Sequence, residues 1–174
     1  MNIVNQTELT KNTAEGQNPE QLTIILFSGD LDKALAAFVI ANGALAMDMK
    51  VTMFFAFWGL NVLRKELAQP VHKDFLSRMF SWMMPRGANH LKLSSMNMFG
   101  IGTAMMKYVM RRKNIYSLQQ LIETAIQNNV RLVACGMSMD VMGLKKEELL
   151  DRVEVGGVST FLGDATLSKA TLFI

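Results

Sequence analysis

Cys135 is the only cysteine in the chain. It ends the apolar run Val130-Arg131-Leu132-Val133-Ala134, where small and polar residues take over: Gly136-Met137-Ser138-Met139-Asp140. Ligands of open α/β sheets sit beyond the carboxyl ends of strands, so the position suits a reactive group. A thiol is nucleophilic as its thiolate, a form favoured by nearby helix N-termini or cations. A cysteine so placed could perform covalent group transfer. The same residue type is also among the commonest inert core residues. Asp140 could orient a donor or merely cap a loop, and a carboxylate beside a thiol would raise its pKa. Ser28-Gly29-Asp30 closes an earlier apolar run. Its N–H groups could cradle an anion at a helix start, or the three residues could make an ordinary turn and cap.

Other chemistries find little support. One cysteine excludes an intrachain disulfide framework and a cysteine-rich zinc site. His72 and His90, the two histidines, leave no metal-binding cluster and suggest no Ser-His-Asp order. Gly100-Ile101-Gly102-Thr103 opens like a dinucleotide fingerprint, but Met105 stands at the third glycine and no strand precedes it. Residues 61–113 hold ten bases and two acids, a local charge of +8 against +3 for the whole chain. Those bases are interleaved with Met, Phe and Trp rather than forming a polar stripe, and no nucleic-acid motif accompanies them. No nucleic-acid partner is expected.

The 174 residues suit one domain, and an apolar content of 50% can build a substantial core. Residues 1–20 read as a loose polar tail without a secretory pattern. Leu22–Phe27, Lys50–Phe57, Val130–Ala134 and Ala170–Ile174 read as strands. Asp30–Met47, with Asp30 as its cap, reads as a helix apolar on nearly every face. Such a helix needs an outer cover, for which another subunit is one candidate. Leu60–Leu67 and Lys145–Leu150 suit short helices, and Gly102–Lys113 and Gly157–Ser168 longer ones. Ser117 and Gln120 form a capping box for the helix 117–129. Residues 135–143 read as a loop. This alternation implies an α/β fold with a mainly parallel sheet.

Residues 67–99 form a Met-rich insertion with the character of a lid. Within it, Phe75–Met84 suggests an amphipathic helix, suited to a lid or subunit contact in preference to a peripheral membrane contact. The fifteen methionines are core filler or an adaptable binding surface. No uncharged run exceeds the fourteen residues of Ala34–Met47 and Leu93–Met106, so no spanning helix is expected. A cytoplasmic setting is the default for one unpaired thiol.

The order of these pieces resembles the DsrE/DsrF-like family. The resemblance rests on Thr23-Ile24-Ile25-Leu26-Phe27-Ser28-Gly29-Asp30-Leu31-Asp32-Lys33, on the Met/Phe/Trp-rich middle and on residues 134–143. Gly156-Gly157-Val158 followed by Leu162-Gly163-Asp164 also fits. It covers residues 22–174 and is strongest for the large-insert branch labelled peroxiredoxin-like. It implies a three-layer α/β/α sandwich around about five strands, and homo-oligomers, commonly trimers or hexamers. It further implies a sulfur carrier or sulfurtransferase-like protein, in which Cys135 holds a persulfide between sulfur donor and acceptor proteins. The resemblance carries that role only to Cys135; from their positions, backbone donors near Gly136 and the Ser28-Gly29-Asp30 turn would steady the anion, and Asp140 could restrain the thiol. With no second cysteine, an intrachain resolving step is unavailable. No cofactor is expected; nucleotide or flavin binding has only fold analogy behind it. The alternative is a non-catalytic scaffold that binds a partner or membrane face through its methionines.

Overall fold

The computed structural model describes residues 20–67, 79 and 83–174. Most of the segment read as an amphipathic helix (Phe75, Leu76, Phe80 and Trp82 among it), together with His72 and residues 1–19, lies outside the described residues. Of that segment, Met79 and Met83 are helical and exposed, and Met84 is buried.

Near-continuous apolar runs form the three inner strands, which are largely buried on both faces. Five strands, β1 (Gln21–Leu26), β2 (Lys50–Phe55), β3 (Arg131–Cys135), β4 (Glu154–Gly156) and β5 (Ala170–Phe173), make one sheet in the order β4-β3-β2-β1-β5. All neighbouring pairs are parallel, so every carboxyl end lies at one edge. β4 escapes the sequence reading because it has three residues, and the side chains of Glu154 and Val155 are exposed.

Side chains alternate between the two faces. On the first, Ile24, Leu26, Met53, Phe55, Leu132 and Ala134 belong to the main core. That core is closed by α1 (Leu31–Leu45), through Ala34, Phe38 and Ala41, and by α3 (Leu118–Gln127), through Leu121, Ile122 and Ala125. On the second face, Phe54, Val133 and Cys135 form a separate cluster under α5 (Val158–Leu167). The result is the three-layer α/β/α sandwich, with a second cover one helix wide among the described residues.

Three helices show how the sequence works locally. Ser117 caps α3: its Oγ accepts from Gln120 N–H at 3.3 Å while Gln120 Oε1 accepts from Ser117 N–H at 2.9 Å. Asp30 occupies the cap position of α1 but makes no cap hydrogen bond. Its carboxylate instead accepts from Ser28 Oγ at 2.8 Å and pairs with Lys33 at 3.0 Å, so the expected side-chain cap is replaced by a closed turn. Residues 136–142 form a helix, α4 (Gly136–Met142), where a loop is expected. Gly143 ends it at φ +64°, a conformation open to glycine at no steric cost, and Leu144 N–H then donates to Met139 O at 2.8 Å.

α2 (Ile101–Arg112) stands apart, burying only Gly102 and Thr103. Ile101, Met105, Met106, Tyr108 and Val109 remain exposed, as do Met96, Met98 and Phe99 before it. The 91–100 segment is tied to α1 by Asp32, which accepts from Ser94 N–H at 2.8 Å and Ser94 Oγ at 2.6 Å. Burial opposes ionisation of Asp32, but those bonds hold its carboxyl below the usual range. No described helix is long and apolar enough to cross a membrane.

The chain leaves β2 through a tight 3-10 segment, Phe57–Leu63, which crosses the end of β1. Gly59 permits the crossing: a Cβ there would lie 2.0 Å from the Leu26 carbonyl oxygen. Arg64 then makes a buried ion pair with Glu148, Nη2 to Oε1 3.4 Å, and donates to Pro85 O at 3.3 Å. Glu148 Oε2 accepts from Lys145 N–H at 3.0 Å. The pair thus fastens the turn after α4 to the segment after β2, with backbone bonds Lys65 N–H to Glu148 O and Leu150 N–H to Leu63 O beside it. Removing one member of such a pair strands a buried charge, at a cost of about 3–5 kcal/mol. Glu148→Leu is expected to lose about that much in urea unfolding. Replacing both residues, Arg64→Met with Glu148→Leu, should recover most of it.

Candidate functional site at Cys135

The last residue of β3 is also the residue from which α4 starts. Cys135 therefore sits at the carboxyl edge of the sheet, paired in register with Gly156 of β4. Its side chain faces the second side of the sheet and is 3% exposed. It shares a cluster with Phe54 and Val133, against which Ala56 and Phe161 pack, and the Phe54 and Phe161 rings lie 5.5 Å apart. Phe161, in the first turn of α5, packs against the cluster that includes the thiol.

Gly156 makes that packing possible. A Cβ at Gly156 would lie 2.7 Å from Val133 Cγ1 and 3.1 Å from Thr160 Oγ1. The absent side chain lets Thr160 of α5 settle against the strand end beside Cys135.

α5 is anchored unevenly. Its later residues are held by polar bonds to the amino ends of the strands. Asp164 pairs with Arg131 at 2.7 Å, and Gln21 Nε2 donates to the Asp164 carbonyl at 3.2 Å. Just past the helix, Ser168 and Thr23 share a hydroxyl hydrogen bond of 2.7 Å. At the cysteine end, Phe161 contributes apolar contact, and no residue of α5 is fully buried. Arg131 also holds Glu154 at 2.9 Å, and these carboxylates raise its pKa above the usual arginine value.

The residues singled out from the sequence divide into two groups. Gly136 adjoins the thiol as the first residue of α4. Asp140 is exposed on the same helix. Five residues at 3.6 per turn put it about 140° round from Cys135. Ser28, Gly29 and Asp30 lie at the end of β1, two strands from β3, with β2 between. That separation is about 10 Å at the usual strand spacing. Gly29 and Asp30 instead line a cleft with Met83, Met84, Arg86, His90 and Lys92. The Asp30 carboxylate adds negative charge to this turn, which weakens it as an anion cradle.

Three residues at this end of the sheet are not legible as part of a site in the sequence. Thr160 and Phe161 come from an ordinary helix more than twenty positions later. Ser138, three residues after Cys135, is fully buried and its Oγ has no hydrogen-bond partner, an uncommon state for a buried hydroxyl. A helix start with Cys, Gly and Ser at the end of an apolar run is the only signal that could have marked it.

Comparisons with known proteins agree with this architecture. The chain matches the DsrE/DsrF/DrsH-like family over residues 18–173. It is 52% identical over 168 residues to the uncharacterized protein YrkE of Bacillus subtilis, covering 97% of this chain and 99% of that one. It is 34% identical over 162 residues to the sulfur carrier protein DsrE2 of Allochromatium vinosum, covering 89% and 98%. Two solved structures share the fold at low identity. The ychN protein from E. coli has a TM-score of 0.53 at 11% identity, over 89% of this chain and 99% of that one. MTH1491 of Methanobacterium thermoautotrophicum, a protein of unknown function, has a TM-score of 0.54 at 14% identity, over the same shares. With a family match over nearly its whole length and the parallel five-stranded sandwich to go with it, the chain belongs to the DsrE/DsrF/DrsH-like family.

Proposed function

We propose that this protein is a sulfur carrier that holds a persulfide on Cys135. The carrying observation is the placement of the chain's only cysteine at the carboxyl end of a central strand. Membership of the family, and 34% identity to a sulfur carrier protein, support a role in sulfur relay.

The chemistry needs one thiolate. Cys135 Sγ attacks the sulfane sulfur of a donor persulfide, forming a new S–S bond as the donor's S–S bond breaks. The donor leaves as its thiolate, and Cys135 holds the terminal sulfur as a persulfide anion. An acceptor thiolate then attacks that terminal sulfur and releases the Cys135 thiolate. No external oxidant or reductant enters either step. Gly136 N–H, at the strand–helix junction, is the backbone donor placed nearest in sequence to the charged sulfur.

Burial of Cys135 assigns a role to α5. Its packing against the cysteine cluster is apolar, and the polar anchors lie at the other end of the helix. Movement of the Phe161 end, with Gly156 and Gly157 at its base, opens the thiol to a donor. Closure then shields a reactive persulfide from water.

The carrier works as a homo-oligomer. The outer stripe of α1 (Ala36, Val39, Ile40 and Gly43), with Met47 just past its end, is apolar and exposed in the single chain. A second copy would remove that stripe from water, which accounts for a helix apolar on both sides. Sedimentation should show a multimer, and Ile40→Asp should shift it toward monomer with the circular dichroism spectrum unchanged. A monomeric wild-type protein would refute the assembly.

A scaffold role, with Cys135 as inert packing, is the competing reading, and the buried thiol and exposed apolar side of α2 favour it. Intact-mass spectrometry separates the two. After incubation with thiosulfate or polysulfide, the wild-type chain should gain the mass of one sulfur atom, reversibly with reductant. Cys135→Ser should gain none and melt within a few degrees of wild type. Absence of any gain, or a gain retained by Cys135→Ser, supports the scaffold.

A further inference from the structure

On the opposite side of the sheet from Cys135, a cavity of about 470 Å³ opens between α2, the start of α3 and the first residue of α1. Its size lies within the usual range of small-molecule sites. The walls divide by chemistry. Leu31, Met110, Ile115 and Leu118 supply an apolar lining. Lys107 and Arg111, one helical turn apart on α2, bring two positive charges to the same space.

No acidic side chain lines the cavity among the described residues. Lys107 Nζ donates to Asn89 O at 2.6 Å, which leaves two of its three N–H donors. Arg111 makes no side-chain hydrogen bond or ion pair among the described residues. Burial, reinforced by Arg111, lowers the Lys107 pKa, and Glu66 only partly opposes this. Opposite them is the positive end of the ten-residue helix α3. Gln120 uses its side-chain oxygen in the capping box, so its amide N–H groups remain available to the cavity.

We infer that this cavity binds an organic anion whose oxyanion head sits between Lys107 and Arg111 and whose apolar body lies along Met110, Ile115 and Leu118. A bound anion would relieve the repulsion between the two cations. A neutral apolar molecule would leave them facing each other.

The test is an NMR titration of full-length protein carrying labelled methionine methyl groups, with octanoate as the probe and octan-1-ol as its neutral counterpart. Octanoate should shift the Met110 methyl signal saturably, and octan-1-ol should bind about tenfold more weakly, as expected for loss of a charge-assisted contact. Arg111→Met should weaken octanoate by a similar factor. Ile115→Trp, which fills the cavity from an exposed position, should abolish binding with an unchanged melting curve. Three results would overturn the inference: no saturable shift, equal binding of the alcohol, or undiminished binding by Arg111→Met. Because sulfur loading at Cys135 is read separately by mass, the two sites stand or fall independently.

Discussion

The inner strands of a parallel sheet must be shielded from water on both faces, because they are largely apolar and the crossovers place helices on either side. Here the two shields are unequal. α1 and α3 seal the first face with a continuous core. Among the described residues, the second face has a small cluster of Phe54, Val133 and Cys135 beneath one helix. Much of what distinguishes the molecule follows from that inequality. Cys135 belongs to the thinner side. Its cover is held by an ion pair and hydroxyl bonds at one end and by Phe161 at the other. Local opening is easiest where few apolar contacts must be given up, and that condition coincides with the thiol.

The remaining elements hold the carboxyl edge in shape. The Arg64–Glu148 pair joins the segments that follow β2 and α4. Gly59 and Gly156 serve the same edge by omission, one admitting the Leu26 carbonyl and the other Thr160. α2 contributes little to this framework, since only Gly102 and Thr103 are buried. Its exposed apolar residues and its basic last turn are available for recognition, while its inner side helps to form the cationic cavity.

Much of the fold was legible in local pattern. Four strands announced themselves as β-branched or apolar runs, and the Ser117–Gln120 box marked α3 because both of its hydrogen bonds are local. β4 was not legible: three residues with exposed side chains carry no alternation, and only pairing with β3 makes them a strand. α4 was missed because its sequence is short and its stop depends on the left-handed Gly143. At the site, the strand-end position of Cys135 could be read directly. Its burial could not, since Phe161, which packs against its cluster, and Thr160, which sits at the paired Gly156, lie far along the sequence. Grouping Ser28–Asp30 with Cys135 relied on their shared edge alone; strand order then put β2 between them.

The most direct measurement is the rate at which Cys135 of the folded protein reacts with an aromatic disulfide reagent, compared with the rate of global unfolding. A carrier with a movable α5 cover should react in the native state far faster than it unfolds. Phe161→Ala should increase that rate, with the fold verified by circular dichroism. A thiol that reacts only as fast as the whole chain unfolds, in both proteins, would contradict the account and leave Cys135 as core packing.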